Sequence, residues 1–192
     1  MKVLPNPHCP ALKIKPPSFR LIKNLSWARP ATFVPRMFTA PRRFTGARKV
    51  GVKYEAAVHV HLKGLYGGAY VPSPWFQYQD SAEQRVRYCQ PDGLLFDSRL
   101  QRLVIVEVKL KHTEKAWWQL RHKYGPILKE VYPWMDIAFC EVVQWFDISI
   151  PFPELIDLRP RVNLARPGAI QVTIWKPQVG ALRQLLNHGT QR

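Results

Sequence analysis

The stretch LVIVEVKLK, residues 103–111, constrains the fold more than any other part of the chain. Its Val, Ile and Leu residues favour a β-strand, in which successive side chains point to opposite faces. One face then carries Val104, Val106 and Val108, and the other carries Leu103, Ile105, Glu107, Lys109 and Lys111. The alternation predicts a strand with one wholly apolar face and a second face where a carboxylate and an ammonium stand side by side. On a solvated face, Glu107 and Lys109 would form only a weak exposed ion pair.

Helix and strand patterns alternate around this stretch. Apolar spacing predicts a helix at 49–64, ended by Gly64, Gly67 and Gly68. A second helical region follows HTEKAWWQ, with Thr113 as its N-cap and a kink or restart at Gly125-Pro126. Strands are predicted in QRVRYCQPDGLLFD, DIAFCEVVQWF and GAIQVTIWKP, a strand or loop in YVPSPWFQYQD, and a closing helix in VGALRQLLNHG. The order predicts a mixed α/β domain, a sheet flanked by helices, over residues 46–192.

Residues 1–45 have a different composition. Residues 1–50 contain eleven Lys and Arg but no Asp or Glu, in a chain whose net charge is +16. Eight prolines within residues 1–45 exclude long helices. We expect a basic, extended arm that becomes ordered on binding nucleic acid or docks on a protein partner. An organelle-targeting peptide is a further alternative, although the prolines argue against the amphipathic helix that such a peptide needs.

Other features narrow the class of protein. No run of about 18 apolar residues predicts a membrane span, and no apolar segment with a cleavage-like site indicates secretion. Cys9, Cys89 and Cys140 are far apart and form no CxxC pair, which argues against a zinc knuckle and favours unpaired thiols in a reducing interior. We therefore expect an intracellular protein of the cytoplasm or nucleoid, or of the host cytoplasm if a phage encodes it.

A second acidic residue precedes the strand in the segment QPDG. The hairpin predicted in GLLFDSRLQR would bring Asp92 next to Glu107 on an adjacent strand. Two carboxylates so placed repel each other unless a hard divalent cation lies between them, and Mg²⁺ binds one or two carboxylates together with waters and a phosphate. Taken alone, Pro-Asp-Gly is also a very good type I turn sequence.

Pro91-Asp92 followed by Glu107-Val108-Lys109 resembles the signature of the PD-(D/E)XK nuclease superfamily. Glu55 is placed like the glutamate that family members often carry on the helix before the sheet. The segment WWQLRHKYGPIL resembles the helix after the lysine in the nuclease domain of bacterial recombination exonucleases. Its Gln119 matches that pattern, but Tyr124 comes one residue later than usual and Lys123 holds the expected place. The resemblance covers about residues 46–146.

The resemblance implies a restriction-endonuclease-like core, a mixed β-sheet between helices, and Mg²⁺- or Mn²⁺-dependent hydrolysis of phosphodiester bonds. Asp92 and Glu107 would be metal ligands, with the Val108 carbonyl as a third, and Lys109 would position the attacking water. Glu55 would bind the metal through water or accept a proton, and Gln119 would orient the lysine or a phosphate. Otherwise Glu55 is an exposed helix residue paired with Lys or Arg, and Gln119 is an ordinary surface glutamine.

DNA is the expected partner, and RNA remains an alternative. The expected contacts to the nucleic acid are Lys111, Lys115, Arg121, Lys123, Tyr124, Arg42, Arg43, Arg48 and Lys49. The hypothesis is a metal-dependent DNase with little sequence specificity, with a compact size that suits a phage or mobile element. Its rivals are a catalytically silent nuclease-like module and a structural basic protein that threads its arm along RNA or DNA. Endonuclease and exonuclease action both remain open.

Overall fold

The computed structural model describes residues 2–3, 22, 24–35, 45–81, 85–147 and 156–177. The described chain is an α/β fold with a seven-stranded mixed sheet and a separate three-stranded antiparallel sheet. The strands are β1 (Lys2–Val3), β2 (Leu25–Pro30), β3 (Tyr70–Pro72), β4 (Phe76–Asp80), β5 (Val86–Cys89), β6 (Gly93–Asp97), β7 (Arg102–Lys111), β8 (Asp136–Trp145), β9 (Ile156–Leu158) and β10 (Ile170–Ile174). The helices are α1 (Gly46–Tyr66), α2 (Glu114–Gln119) and α3 (Gly125–Val131).

The large sheet has the strand order β1-β9-β10-β8-β7-β6-β3, and the small sheet has the order β2-β4-β5. Strands β7, β8, β10 and β9 run parallel to one another. Strands β6 and β3 continue the sheet antiparallel beyond β7, and β1 pairs antiparallel with β9 at the other edge. A mixed sheet flanked by helices was predicted and is confirmed. Strand β7 lies where the parallel and antiparallel halves meet.

Strand β7 has a helix on each face, as its alternation requires. Val104, Val106 and Val108 pack with the side chains of α1, whereas Leu103 and Ile105 pack with those of α3. Burial of an aliphatic side chain stabilises the fold by about 1.5–3 kcal/mol. The apolar positions of β7 together therefore offset the cost of burying the polar Glu107 carboxyl group. This matters because Glu107 is only 1% exposed, so the charged face is not the solvated face of the simpler interpretation.

Part of the predicted arm belongs to the folded domain. Strand β2 pairs antiparallel with β4, and β1 pairs with β9 at the edge of the large sheet. Leu25 and Ala28 pack against the core under the small sheet. The predicted extended arm, residues 1–45, therefore does not include residues 24–35, which belong to the folded domain. Tertiary pairing with β4 supplies the strand's hydrogen bonds, which no local pattern reveals.

The helical region after β7 is interrupted by a π-helical turn, Leu120–Tyr124, between α2 and α3. Pro126 has no N–H for the carbonyl of His122 four residues earlier, and that carbonyl instead accepts the N–H of Ile22 at 3.5 Å. The N–H of Gly125 bonds to the Leu120 carbonyl five residues back. The predicted restart at Gly125-Pro126 is confirmed, but the π-turn that precedes it was not predicted.

Several smaller expectations have mixed outcomes. The first helix begins at Gly46 and ends at Tyr66. Thr113 is the N-cap of α2 by position, but its side chain makes no capping hydrogen bond. Strand β9 was missed, and the closing helix predicted in VGALRQLLNHG lies outside the described residues. Within the described part of the chain, no helix is both long enough and apolar enough to cross a membrane.

Candidate active site

Asp92 lies in the connection that carries the chain from β5 of the small sheet to β6 of the large one. The ladder between β6 and β7 ends at the pair Gly93 and Val106, so continuing its register places Asp92 opposite Glu107. There the Asp92 carboxylate replaces the missing backbone partner, because its Oδ2 accepts the N–H of Val108 at 2.7 Å. The connection is therefore not a simple hairpin turn. Its geometry ties Asp92 to the strand that carries Glu107 and Lys109.

Gly93 permits a close approach that fixes this connection. A Cβ added at Gly93 would lie 2.2 Å from the Tyr70 hydroxyl and 2.7 Å from two carbons of its ring. Tyr70 comes from β3, next to β6 in the sheet, and its side chain is fully buried. Only glycine leaves room for the tyrosine ring beside Asp92.

Glu107, Lys109 and Asp92 converge at this edge of β7. The ammonium of Lys109 donates to Glu107 Oε1, lies 3.8 Å from Asp92 Oδ2, and donates to the Val108 carbonyl at 3.2 Å. The Glu107 side chain is 1% exposed, whereas those of Asp92 and Lys109 are 18% and 26% exposed. The predicted juxtaposition is thus present, with Glu107 deepest and the other two groups reaching toward solvent.

The electrostatics of the three groups are coupled. Burial, helped by the negative charge of Asp92, raises the pKa of Glu107 to about 8 despite the nearby ammonium. Burial also raises the pKa of Asp92, an effect that Lys109 opposes. For Lys109, burial lowers the pKa, but the carboxylates of Glu107 and Asp92 outweigh it and raise the pKa above its usual value. The lysine therefore stays positively charged at neutral pH.

The oxygens gathered at this edge of β7 are of the kind that a hard divalent cation takes as ligands. Glu107 Oε2 is buried and has no hydrogen-bond partner among the described residues, although its Oε1 is engaged by Lys109. Mg²⁺ is commonly held by one or two carboxylates, with waters and a substrate phosphate completing six ligands. Asp92, Glu107 and the Val108 carbonyl would supply the protein ligands. Within the described ranges, no group of three or more His, Cys, Asp or Glu side chains is placed to hold a metal ion by itself.

Glu55 faces the same site from α1. Its negative charge contributes to the raised pKa of Asp92, and its Oε1 lies 3.5 Å from Nε2 of His59 one helical turn later. His59 also contacts the strand and the loop beside the site, because its Nδ1 lies 2.8 Å from the Tyr70 hydroxyl and its Nε2 lies 3.4 Å from Ser73 Oγ. Sequence reasoning missed this role because the partners come from β3 and the loop after it.

Gln119 and Tyr124 support the site from the opposite helix. Gln119 Nε2 donates to the Tyr124 hydroxyl at 3.2 Å, and that hydroxyl donates to the Gln90 carbonyl at 3.1 Å. Tyr124 is 3% exposed, so it is a core residue rather than a contact to nucleic acid, which corrects that expectation. The ammonium of Lys123 lies against the ring of Tyr124. Lys123 therefore does not occupy the position beside Gln119 that the resemblance predicts for it.

A further buried carboxylate, Glu141, was missed. It lies opposite Glu107 in the parallel register of β7 and β8 and is fully buried. Its Oε2 lies 2.5 Å from His112 Nδ1, and its Oε1 accepts the N–H of Thr113 at 3.3 Å. The signal that drew attention to Glu107, an acidic residue in an apolar strand, is also present in DIAFCEVVQWF. Glu141 anchors the start of α2 beside the site.

The basic residues expected to bind nucleic acid are dispersed. Lys115, Arg48 and Lys49 are exposed, the last two in the first turn of α1, and Lys111 is exposed beside Asp147. Arg121 is not gathered at the site, because its guanidinium lies over the Phe139 ring and donates to the Gly168 carbonyl at 2.6 Å. Arg42 and Arg43 lie outside the described residues.

Comparison with known proteins identifies no relative: no protein-family model, no curated protein and no solved structure matches the chain. The resemblance to PD-(D/E)XK nucleases therefore rests on the residues themselves.

Proposed function

We propose that this protein is a metal-dependent nuclease that hydrolyses DNA phosphodiester bonds at the site formed by Asp92, Glu107 and Lys109. The observation that carries the proposal is the position of the Lys109 ammonium, which contacts Glu107 and lies 3.8 Å from Asp92 Oδ2. A buried ion pair alone is weak evidence of a structural role, because apolar residues of similar volume stabilise a core at least as well. The proposal includes a restriction-endonuclease-like arrangement of the mixed sheet and its helices.

The residues would divide the work according to their environments. Asp92, Glu107 and the Val108 carbonyl would hold Mg²⁺ or Mn²⁺, which when bound supplies Lewis-acid stabilisation of the phosphate and a more acidic water. Lys109 keeps its proton, since the flanking carboxylates raise its pKa. It therefore acts as a donor that orients the attacking water and offsets phosphate charge, not as a proton acceptor. Glu55 has the more exposed side chain, at 36%, and is the carboxylate available to accept a proton.

Charge supports a nucleic acid as the substrate. The net charge of +16 favours a polyanion, and exposed Lys115, Arg48 and Lys49 can contact phosphates without reading the sequence of bases. Lys111 forms an ion pair with Asp147 and is the last residue of β7, the strand that also carries Lys109.

The test compares wild type with Asp92→Asn and Lys109→Met on linear, circular and single-stranded DNA and on RNA, with Mg²⁺, Mn²⁺ or EDTA. The matched control is Lys53→Met, which removes an exposed lysine of α1. We expect metal-dependent cleavage of DNA by wild type and the control, and its loss in both site variants while DNA binding persists. Absence of cleavage by wild type, or undiminished cleavage by Lys109→Met, would refute the proposal. Cleavage of RNA alone would reassign the substrate.

A further inference from the structure

The small sheet has an inner and an outer face. Phe76, Tyr78 and Cys89 belong to the buried core, and Ala28 packs against it. Alternation then places the neighbouring positions of each strand on the opposite, outer face. Pairing confirms the set, because Trp27 is opposite Gln79, Arg29 is opposite Gln77, and Gln77 is opposite Tyr88.

The outer face carries aromatic rings beside a cation. The indole Nε1 of Trp27 donates to Gln79 Oε1 at 2.7 Å, which fixes the edge of the ring, and the Arg29 guanidinium carbon lies 5.4 Å from the ring centroid. Phe33, in the segment after β2, lies with its ring centroid 6.3 Å from that of Tyr88. Phe33 is 55% exposed, although burial of an aromatic ring would be favourable. Phe33 is exposed, whereas Trp27 and Tyr88 are half-buried and Gln77, opposite Arg29 and Tyr88, is buried. The face therefore presents two aromatic groups that solvent reaches in part, Trp27 and the pair Phe33 and Tyr88.

The charge of this face selects the partner. On the described strands β2, β4 and β5, the outer positions carry no carboxylate, because Asp80, the one acidic residue of these strands, is 8% exposed and accepts the N–H of Asn24. Arg29 and Arg85, the residue directly before β5, are both exposed. Aromatic rings with an arginine and no acidic residue complement a polyanion whose flat groups stack. In a duplex the bases are stacked on one another, so only a single strand offers their faces to Trp27 and Tyr88.

We propose that the outer face of the small sheet binds single-stranded nucleic acid, with bases stacked on Trp27 and on the Phe33 and Tyr88 pair and a phosphate held by Arg29. This binding site is separate from the candidate active site, and its existence does not depend on hydrolysis. It gives the described part of the basic N-terminal region a definite role as a platform for a single strand.

The experiment measures binding of a short fluorescent oligothymidine in EDTA, with Asp92→Asn as the parent so that cleavage cannot occur. Trp27→Ala and Tyr88→Ala are compared with Trp134→Ala and Trp145→Ala, which remove tryptophans 68% and 58% exposed on other elements. We expect each platform variant to weaken binding about tenfold, the order of one stacked base. Arg29→Ala should also make the dependence of affinity on salt shallower by about one phosphate contact. The control variants should bind like the parent.

A second measurement covers the case in which Trp27→Ala fails to fold. Trp27→Phe keeps a ring and should retain most of the affinity, and photocrosslinking of the parent to oligothymidine should label peptides containing Trp27 or Tyr88. Equal weakening in the control variants, or crosslinks confined to other peptides, would overturn the proposal. Absence of cleavage by wild type, with intact oligothymidine binding, would count against the proposed nuclease activity only. If this face bound a protein and had no affinity for single strands, nucleic acid would be excluded as its partner.

Discussion

Gln119 and Tyr124 are five positions apart, yet Gln119 Nε2 donates to the Tyr124 hydroxyl at 3.2 Å. In a regular α-helix, residues three or four apart are neighbours, so Lys123 would be expected beside Gln119. The π-turn Leu120–Tyr124 adds one residue to that turn and brings Tyr124 onto the face of Gln119. The helix thus accommodates the additional residue, and Tyr124 lies beside Gln119 although it comes one residue later than the resemblance predicts.

This contact reaches Asp92 through a short series of hydrogen bonds. Tyr124 donates to the Gln90 carbonyl, and Gln90 Nε2 donates to the Ser73 carbonyl at 2.8 Å. The N–H of Ser73 in turn donates to the Asp92 carbonyl at 2.8 Å. The π-turn therefore supports the connection that carries a candidate metal ligand.

Tyr124→Phe should destabilise the protein and disturb the site. Burial raises the pKa of the Tyr124 hydroxyl well above its usual value, so it stays protonated and donates. Its removal leaves the Gln90 carbonyl without this donor, and a buried group left unsatisfied costs about 1–3 kcal/mol. Urea unfolding measures the loss. Tyr132→Phe, which removes the same atom from a half-buried tyrosine packed on the same core, is the control and should cost less. Equal costs would show that the hydroxyl of Tyr124 has no special role.

Substitution of alanine at two glycines should have effects of opposite sign. In Gly93→Ala the new Cβ would lie 2.2 Å from the Tyr70 hydroxyl, against a fully buried ring that cannot move freely. Overpacking of this kind costs about 1–3 kcal/mol or more. Gly64→Ala, in α1 with nothing within 4 Å of the new Cβ, should stabilise the helix by up to about 1 kcal/mol. Thermal unfolding of both variants checks the prediction, and a stable Gly93→Ala protein would contradict the tight packing beside Asp92.

His59 should position Glu55. Nδ1 of His59 lies 2.8 Å from the Tyr70 hydroxyl and its Nε2 lies 3.5 Å from Glu55 Oε1, so the ring can present an N–H to that carboxylate. His59→Leu should therefore lower metal-dependent cleavage about 10- to 100-fold, and His59→Gln, which keeps an N–H donor, should lower it less.

The control for this prediction is His61→Leu, since His61 stacks on Trp175 away from Glu55. The double variant His59→Leu with Glu55→Gln should cleave no more slowly than Glu55→Gln alone, because each substitution removes the same interaction between the two side chains. Additive losses would mean that His59 acts independently of Glu55.

The stability of the protein should fall as pH rises across the window set by Glu107. Its pKa is raised from 4.5 to about 8 in the folded state. Between these values the folded protein holds a proton that the unfolded chain has lost, so the free energy of unfolding decreases as pH rises. Urea unfolding in EDTA should show this decrease in wild type and a weaker one in Glu107→Gln. Asp136→Asn, which removes an exposed carboxylate, should follow wild type. Parallel curves for wild type and Glu107→Gln would contradict the raised pKa.

The large elements could be predicted because their patterns are local. Alternation in LVIVEVKLK has one solution that buries its valines. Apolar spacing also locates the helix before Gly64, but it does not show that Tyr54, Val58 and Leu62 form the buried side of that helix. Strands β2 and β9 could not be predicted in this way. Both are short, and their hydrogen bonds are completed by β4 and β10, which are distant in the sequence.

The candidate site, like the fold, could be predicted from the sequence only where its residues are close along the chain. Periodicity alone places Glu107 and Lys109 on one face of β7, and the hairpin between β6 and β7 brings Asp92 beside them, because both relationships span few residues. The burial of Glu107, the support of Asp92 by Tyr124 and the contact of His59 with Tyr70 were decided only by the tertiary structure. They depend on which helix covers which face and on one additional residue in a helical turn, and neither leaves a periodic signal in the chain.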